Sequence, residues 1–249
     1  MRNSLSRIYA LSKRNTKEIV RDPLSLIFMI GLPLFMEILF YLLFHKLTDQ
    51  FRMIYLAPGI VVFSQSFLAL FTGQLIALDR SSSLLTRLYV SRATSVEFIL
   101  SYALPILPIT GIQSVLFFLV GGLFDVGLFG WRTLLAILLS LVTSLFFIGM
   151  GILFGSVCSE KSVGGIASIL VAGQSVLSGM WYPIEGLGEG MLAVMNALPF
   201  RNANLLVQNV VLGIGDAWGD FVRPLLILLG YTLAAFVSAI LLFRRKMKT

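Results

Sequence analysis

The sequence predicts an all-α membrane protein of six transmembrane helices, preceded by an amphipathic helix lying in the membrane interface. Two observations carry this prediction. Of 249 residues, 57% are apolar and only 12% charged, about half of the ~25% charge with which an ordinary soluble domain covers itself. A water-soluble enzyme is therefore excluded. The apolar residues also fall into six uninterrupted runs, at 24–44, 54–78, 98–124, 134–157, 163–181 and 224–243. Each is near the ~20 residues that a hydrocarbon layer of ~30 Å requires of a helix, and none shows the ~10-residue alternation of a membrane strand. Residues 1–23 are read as an interfacial segment and 24–249 as a single transmembrane domain.

The interfacial segment is amphipathic at 100° per residue, with Leu5, Ile8, Tyr9, Ile19 and Val20 on one face and Arg7, Arg14, Lys17 and Arg21 on the other. This predicts a helix with its apolar face in the membrane surface, stopped at Asp22-Pro23 by the proline. No cleavable signal is expected, because the first twenty residues are basic and polar and the run that follows is too long for a signal core.

Within the spans, Glu37 is the one carboxylate placed deep, about 20 Å from the inner end of span one. Ionised against lipid it is costly, so it should face the protein interior or water. It reads either as a group lining a path or coupling a proton, or as a protonated acid bonded to a neighbouring helix. Gln65 and Gln74 in span two, Gln113 in span three and Gln174 in span five read as interhelical hydrogen-bond glue worth ~1 kcal/mol or less each, with substrate contact as the alternative. Pro105 and Pro108 are expected to bend or break span three near its inner end.

Two connections are more than linkers. Between spans two and three, residues 79–97 place Leu84, Leu85, Leu88, Tyr89 and Val90 among serines and arginines, the pattern of a short amphipathic helix. Between spans five and six, residues 182–223 hold two apolar runs of about ten residues, 191–200 and 205–214, separated by Arg201-Asn202-Ala203-Asn204. Runs that short predict a re-entrant pair of half-spanning helices.

The charges set an orientation. Fourteen of the nineteen Lys and Arg residues flank one side: Arg2, Arg7, Lys13, Arg14, Lys17 and Arg21, then Arg80, Arg87, Arg92 and Lys161, then Arg244, Arg245, Lys246 and Lys248. Lys46, Arg52, Arg132, Arg201 and Arg223 flank the other. Basic loops stay inside, so both termini are expected in the cytoplasm of a multi-pass plasma-membrane protein. Topology thus accounts for the net charge of +7, and no nucleic-acid partner is needed.

Catalytic signatures are missing from the sequence. There is one histidine, His45, and one cysteine, Cys158, so no disulfide, His/Cys metal site or Cys-His nucleophile is expected. The phosphate-binding pattern G-x-x-x-x-G-K-[ST] does not occur, nor do G-x-S-x-G and H-E-x-x-H. The chain is expected to be no enzyme and to hold no cofactor or metal itself.

The order of elements, with Leu84-Leu85-Thr86-Arg87-Leu88-Tyr89-Val90-Ser91-Arg92, Glu97-Phe98-Ile99-Leu100, Ser178-Gly179-Met180-Trp181-Tyr182-Pro183-Ile184 and Asn196-Ala197-Leu198-Pro199-Phe200, resembles the type 2 permease subunits of ATP-binding-cassette exporters. The resemblance runs nearly the whole chain. One departure is the start of the docking loop, where the family often has an acidic-Gly-Thr-x-Glu run and this chain reads Asp79-Arg80-Ser81-Ser82-Ser83. The resemblance implies an export permease for an amphipathic drug, lipid-like molecule or glycolipid. A separate cytoplasmic ATPase in two copies would supply ATP and Mg, and a second permease copy would complete a homodimer or related heterodimer in the lipid bilayer. Asp79, Arg80, Leu84, Leu85, Arg87, Leu88 and Tyr89 would form the ATPase-coupling loop. Glu37, Gln65, Gln74, Gln113 and Gln174 would be the pathway candidates, and Tyr182, Pro183, Pro199 and Arg201 the re-entrant outer segment. A polysaccharide export permease shares this architecture. An ion-coupled secondary transporter using Glu37 is the alternative from outside the family.

Overall fold

The computed structural model describes residues 2–82, 94–184 and 186–246, and among them every regular element is helical. Helix α1 (Arg2–Arg21) lies before the first apolar helix α2 (Pro23–Phe44). Then come α3 (Met53–Ser81), α4 (Ser95–Phe124), α5 (Trp131–Val157), α6 (Glu160–Leu177), α7 (Glu189–Ala197), α8 (Pro199–Leu212) and α9 (Arg223–Lys246). Five stretches are long and apolar enough to cross a membrane: Pro23–Phe44, Met53–Ser81, Ser95–Phe124, Trp131–Val157 and Ala217–Arg244. The expected fifth span, 163–181, is the helix α6, which opens on Glu160-Lys161, ends at Leu177 and is not among the five.

Helix α3 is the centre of the bundle. Most of its apolar window is buried, 78% against 17% for α2. Its closest partner is α5, and small residues explain the approach. A Cβ added at Gly151 would stand 2.5 Å from the Ala69 carbonyl, and one at Gly155 would stand 2.6 Å from that of Gly73. Two backbones can meet this closely only where side chains are small, as in a Gly-x-x-x-Gly pair. That spacing, Gly151 to Gly155, stands in the sequence.

Helix α2 is not uniform. Asp22 caps it, accepting from the Ser25 backbone N–H at 3.2 Å, and a π-helical turn occupies Ile27–Gly31 before Leu32–Phe44. Pro33 has no N–H to offer the carbonyl four residues back, Met29. The side-chain amide of Gln113 in α4 donates to that oxygen instead, at 2.5 Å.

Three expectations need correction. Helix α4 runs without interruption through Pro105 and Pro108, so neither breaks it. The outer pair of helices divides at Leu198-Pro199 rather than at residues 201–204. Leu198, before a proline, is extended (φ −87°, ψ 153°) as steric clash with the ring demands, and Pro199 opens α8, where its missing N–H costs nothing. Arg201 and Asn202 therefore lie inside α8, which ends at Gly213 in the left-handed conformation (φ +63°). The last apolar helix also begins earlier than residue 224, through a π-helical turn at Ala217–Val222.

Candidate functional site

The sequence pattern places α1 in the membrane surface with its arginines on the side away from the apolar face. In the structure Arg7 and Arg14 turn toward the bundle instead, because each meets a carboxylate there. Arg14 donates twice to Asp79, at 2.5 and 2.6 Å, and pairs with Glu18 one turn on at 2.6 Å. Asp79 is 2% exposed and also accepts from the Tyr102 hydroxyl. A fork of two parallel hydrogen bonds suits arginine alone among the cations. The hydrogen bond to Asp79 raises the Arg14 pKa above its ordinary value, so the guanidinium stays charged.

In the first turn of α4 a second fork repeats the arrangement. Arg7 donates to Glu97 at 2.7 and 3.2 Å, and the Ser4 hydroxyl donates to the same carboxylate. Its hydrogen bond to Glu97 raises the Arg7 pKa. Glu97 is also half of a capping box, accepting from the Thr94 backbone N–H at 3.1 Å while the Thr94 hydroxyl accepts from the Glu97 N–H at 3.3 Å. Between the forks, buried Asn15 donates to the Ser101 carbonyl at 2.9 Å. One helix therefore grips the last turn of α3 and the first turn of α4, the two stalks from which residues 82–94 depart.

The connection between α5 and α6 is tied to the same place. Arg80 donates to the Gly155 and Cys158 carbonyls at 2.8 and 3.0 Å, a cation closing the C-terminal end of α5. The Ser81 hydroxyl donates to Glu160 at 2.8 Å. Asp79 and Arg80, predicted as coupling residues, thus have their side chains engaged within the chain. Leu84, Leu85, Arg87, Leu88 and Tyr89 lie outside the described residues.

Beside this assembly a cavity of about 460 Å³ opens between α1, α2, α3, α4 and α6. Met29, Phe71, Leu75, Leu78 and Ile106 form its apolar wall, Thr72 and Gln74 add polar groups, and Glu18, Asp22 and Glu160 supply its carboxylates. Such a volume is in the range of sites for drug-sized molecules.

The other intramembrane amides are distributed rather than gathered. Gln65 donates to the Ser140 carbonyl and accepts from the Thr143 hydroxyl, both at 2.9 Å, while Ser114 and Ser140 share a hydroxyl–hydroxyl bond at 2.8 Å. This polar seam joins α3, α4 and α5. Gln113 serves Met29, as above. Gln174 and Glu37 are fully buried without a hydrogen-bond partner among the described residues. Glu37 is lodged against Gly121, where a Cβ would stand 3.2 Å from its Oε1 and 3.1 Å from the Ala57 methyl. No group of three or more potential metal ligands occurs among the described residues.

Residues 6–211 match the ABC-2 type transporter family. The chain belongs to this family. Comparison with curated proteins gives no match. The match begins inside α1 and ends inside α8, so both forks, the cavity and the polar seam of this ABC-2 chain lie within it. ABC-2 chains are membrane transport components that are not themselves catalytic, and they generally work with a cytoplasmic ATPase and as dimers.

At the opposite end of the ABC-2 chain Arg52 pairs with Asp49 at 3.6 Å, both exposed. Gln50 donates to the Gly179 and Met180 carbonyls at 3.1 and 3.2 Å. Trp181 packs edge-on to Phe40 and Phe63, with centroids 4.8 and 5.7 Å away, and donates to the Ser175 hydroxyl at 2.9 Å. The Tyr182 hydroxyl donates to the Val176 carbonyl. Pro183 and Arg201 line a smaller cavity of about 190 Å³ with Tyr55, Asn204 and Gln208. Sequence reasoning missed the pairing of Arg7 with Glu97 and of Arg14 with Asp79. Its available signals were two arginines two turns apart on α1, one acid at each root of the loop, and the Thr94-x-x-Glu97 capping pattern.

Proposed function

We propose that this chain is the membrane permease of an ATP-driven exporter, moving an amphipathic drug, lipid-like or glycolipid substrate out of the cell under the drive of a separate ATPase subunit. The observation that carries this reading is α1 bridging both roots of loop 82–94. A partner that pushes on that loop moves α3 and α4 together with α1, because the two forks leave neither stalk free to yield alone. Asp79 and Arg80 then serve as the rigid base of the dock, and its contact surface is Leu84, Leu85, Arg87, Leu88 and Tyr89. ATP and Mg belong to the ATPase, present in two copies beside two permease copies.

The excess of basic residues on the α1 side supports cytoplasmic termini, and α6, about 27 Å long at 1.5 Å per residue, is taken as the span between the inner and outer connections. The cavity beside α1, apolar on its wall and acidic at its rim, supports an amphipathic substrate taken from the inner side, with Gln74 as its pathway amide. Glu37 is enclosed by Ala57 and Gly121 with no other carboxylate acting on it among the described residues, whereas intramembrane proton relays are chains of ionisable groups. That arrangement favours a packing role over ion coupling.

Co-purification tests the reading. The ATPase encoded beside this chain is expected to come down with the wild-type permease, and Leu84, Leu85 and Arg87 replaced together by Ala should weaken its capture and change its ATP turnover. Failure to capture an ATPase, or turnover indifferent to the triple replacement, overturns it.

A further inference from the structure

The outward side of α1 is unaccounted for by the forks. Lys13, Lys17 and Arg21 follow one another at four-residue spacing, all three exposed, and they line one groove along the helix together with Arg14, Glu18 and Asp22. The two acids of that groove each have another partner, which leaves the groove basic: Glu18 pairs with Arg14 at 2.6 Å, and Asp22 caps α2 through Ser25, whose hydrogen bond holds its carboxyl below the ordinary range. Next to this basic arc the helix exposes Leu5, Tyr9 and Val20, at 69%, 68% and 60%. The arc continues directly into the lipid-length helix α2, whose first exposed residues are Leu24 and Ile27.

We infer that Lys13, Lys17 and Arg21 form a binding surface for anionic phospholipid headgroups, with Leu5, Tyr9 and Val20 seated in the adjoining acyl boundary. Three features select a bilayer over a protein partner. The apolar and basic arcs are adjacent, as in helices that lie on membranes; a membrane helix begins two residues beyond Arg21; and each cation near an anionic surface contributes roughly fivefold to attraction, about a hundredfold for three. Because the same helix holds Asp79 and Glu97, anionic lipid that pins α1 also stiffens the base of loop 82–94. The inference rests on the membrane-spanning fold and not on the exporter reading, so failure to capture an ATPase leaves it standing.

The test is hydrogen–deuterium exchange on the full chain in nanodiscs of phosphatidylcholine alone and of phosphatidylcholine with one-third phosphatidylglycerol. Exchange across α1 is expected to slow at least tenfold in the anionic discs, and the slowing should fade as salt is raised. The Lys13→Gln/Lys17→Gln/Arg21→Gln variant should lose the lipid response while keeping wild-type exchange in α3 and α4 in discs of phosphatidylcholine alone, and Lys13→Arg/Lys17→Arg/Arg21→Lys should retain the response. Equal exchange in both lipids, a response surviving the triple Gln change, or slowing produced by added ATPase and not by phosphatidylglycerol each overturns the proposal.

Discussion

The two ends of the helical bundle solve the same problem in different ways. At the α1 end, elements separated by 65 to 90 residues are joined by charged forks, Arg14 to Asp79 and Arg7 to Glu97. At the other end the joins include aromatic rings and amide-to-carbonyl hydrogen bonds, Trp181 on Phe40 and Gln50 on Gly179 and Met180. Charged forks fix orientation and fail abruptly when one partner is lost. Packed rings lose energy by degrees and tolerate some rearrangement. The α1 end thus holds the last turn of α3 and the first turn of α4 in register, and under the proposed function these are the roots of the docking loop.

Removing one partner from the buried fork separates the two designs most sharply. Arg14→Ala leaves the Asp79 carboxylate enclosed and uncompensated, a loss of about 3 kcal/mol, and Arg14→Ala with Asp79→Asn should recover much of it. Thermal melting of the purified protein reads both. Trp181→Ala is expected to cost less, about 2 kcal/mol, since Trp181 is only partly buried and its ring neighbours can close over the gap. It should also leave ATPase capture intact, whereas Arg14→Ala should impair it. Equal effects of the two changes on capture would erase the distinction between the ends.

The smallest difference concerns the caps of the first and last apolar helices. Asp22 is held below its ordinary pKa chiefly by the Ser25 hydroxyl, and Asp216 chiefly by the Gly219 backbone N–H. A carboxylate with a depressed folded-state pKa stabilises above its unfolded value, near 4, and loses that contribution as pH falls through the folded one. Asp22→Ala should therefore cost about 0.5–1 kcal/mol at pH 7 and progressively less below pH 4. Asp216→Ala should show the same direction. Melting curves between pH 3 and pH 7 check the sign.

Much of the fold was legible because the bilayer demands long apolar runs: α3, α4 and α5 begin and end within three residues of the runs that predicted them. What escaped was what neighbours decide. The arginines of α1 read as an outward polar face, since periodicity reports where a polar stripe lies and not that Glu97 and Asp79 wait opposite it. Arg201 and Asn202 read as a break by composition, while the rigid Leu198-Pro199 step set the true boundary. Pro105 and Pro108 are absorbed within an unbroken α4. Composition suggested a short amphipathic helix in the loop after α3, and the family resemblance a docking role, but neither showed that α1 holds the loop's two roots, Asp79 and Glu97.

The account's central claim is that the Arg14–Asp79 fork couples a partner ATPase to α3 and α4, and ATP-driven transport in proteoliposomes tests it most directly. Permease carrying Arg14→Gln, Asp79→Asn or both is measured at equal, verified levels of bound ATPase, so that pairwise coupling is read apart from the single losses. The account predicts that each single change lowers transport per ATP hydrolysed severalfold and that the double change is no worse than Arg14→Gln alone. Transport per ATP unchanged in both single variants would contradict it.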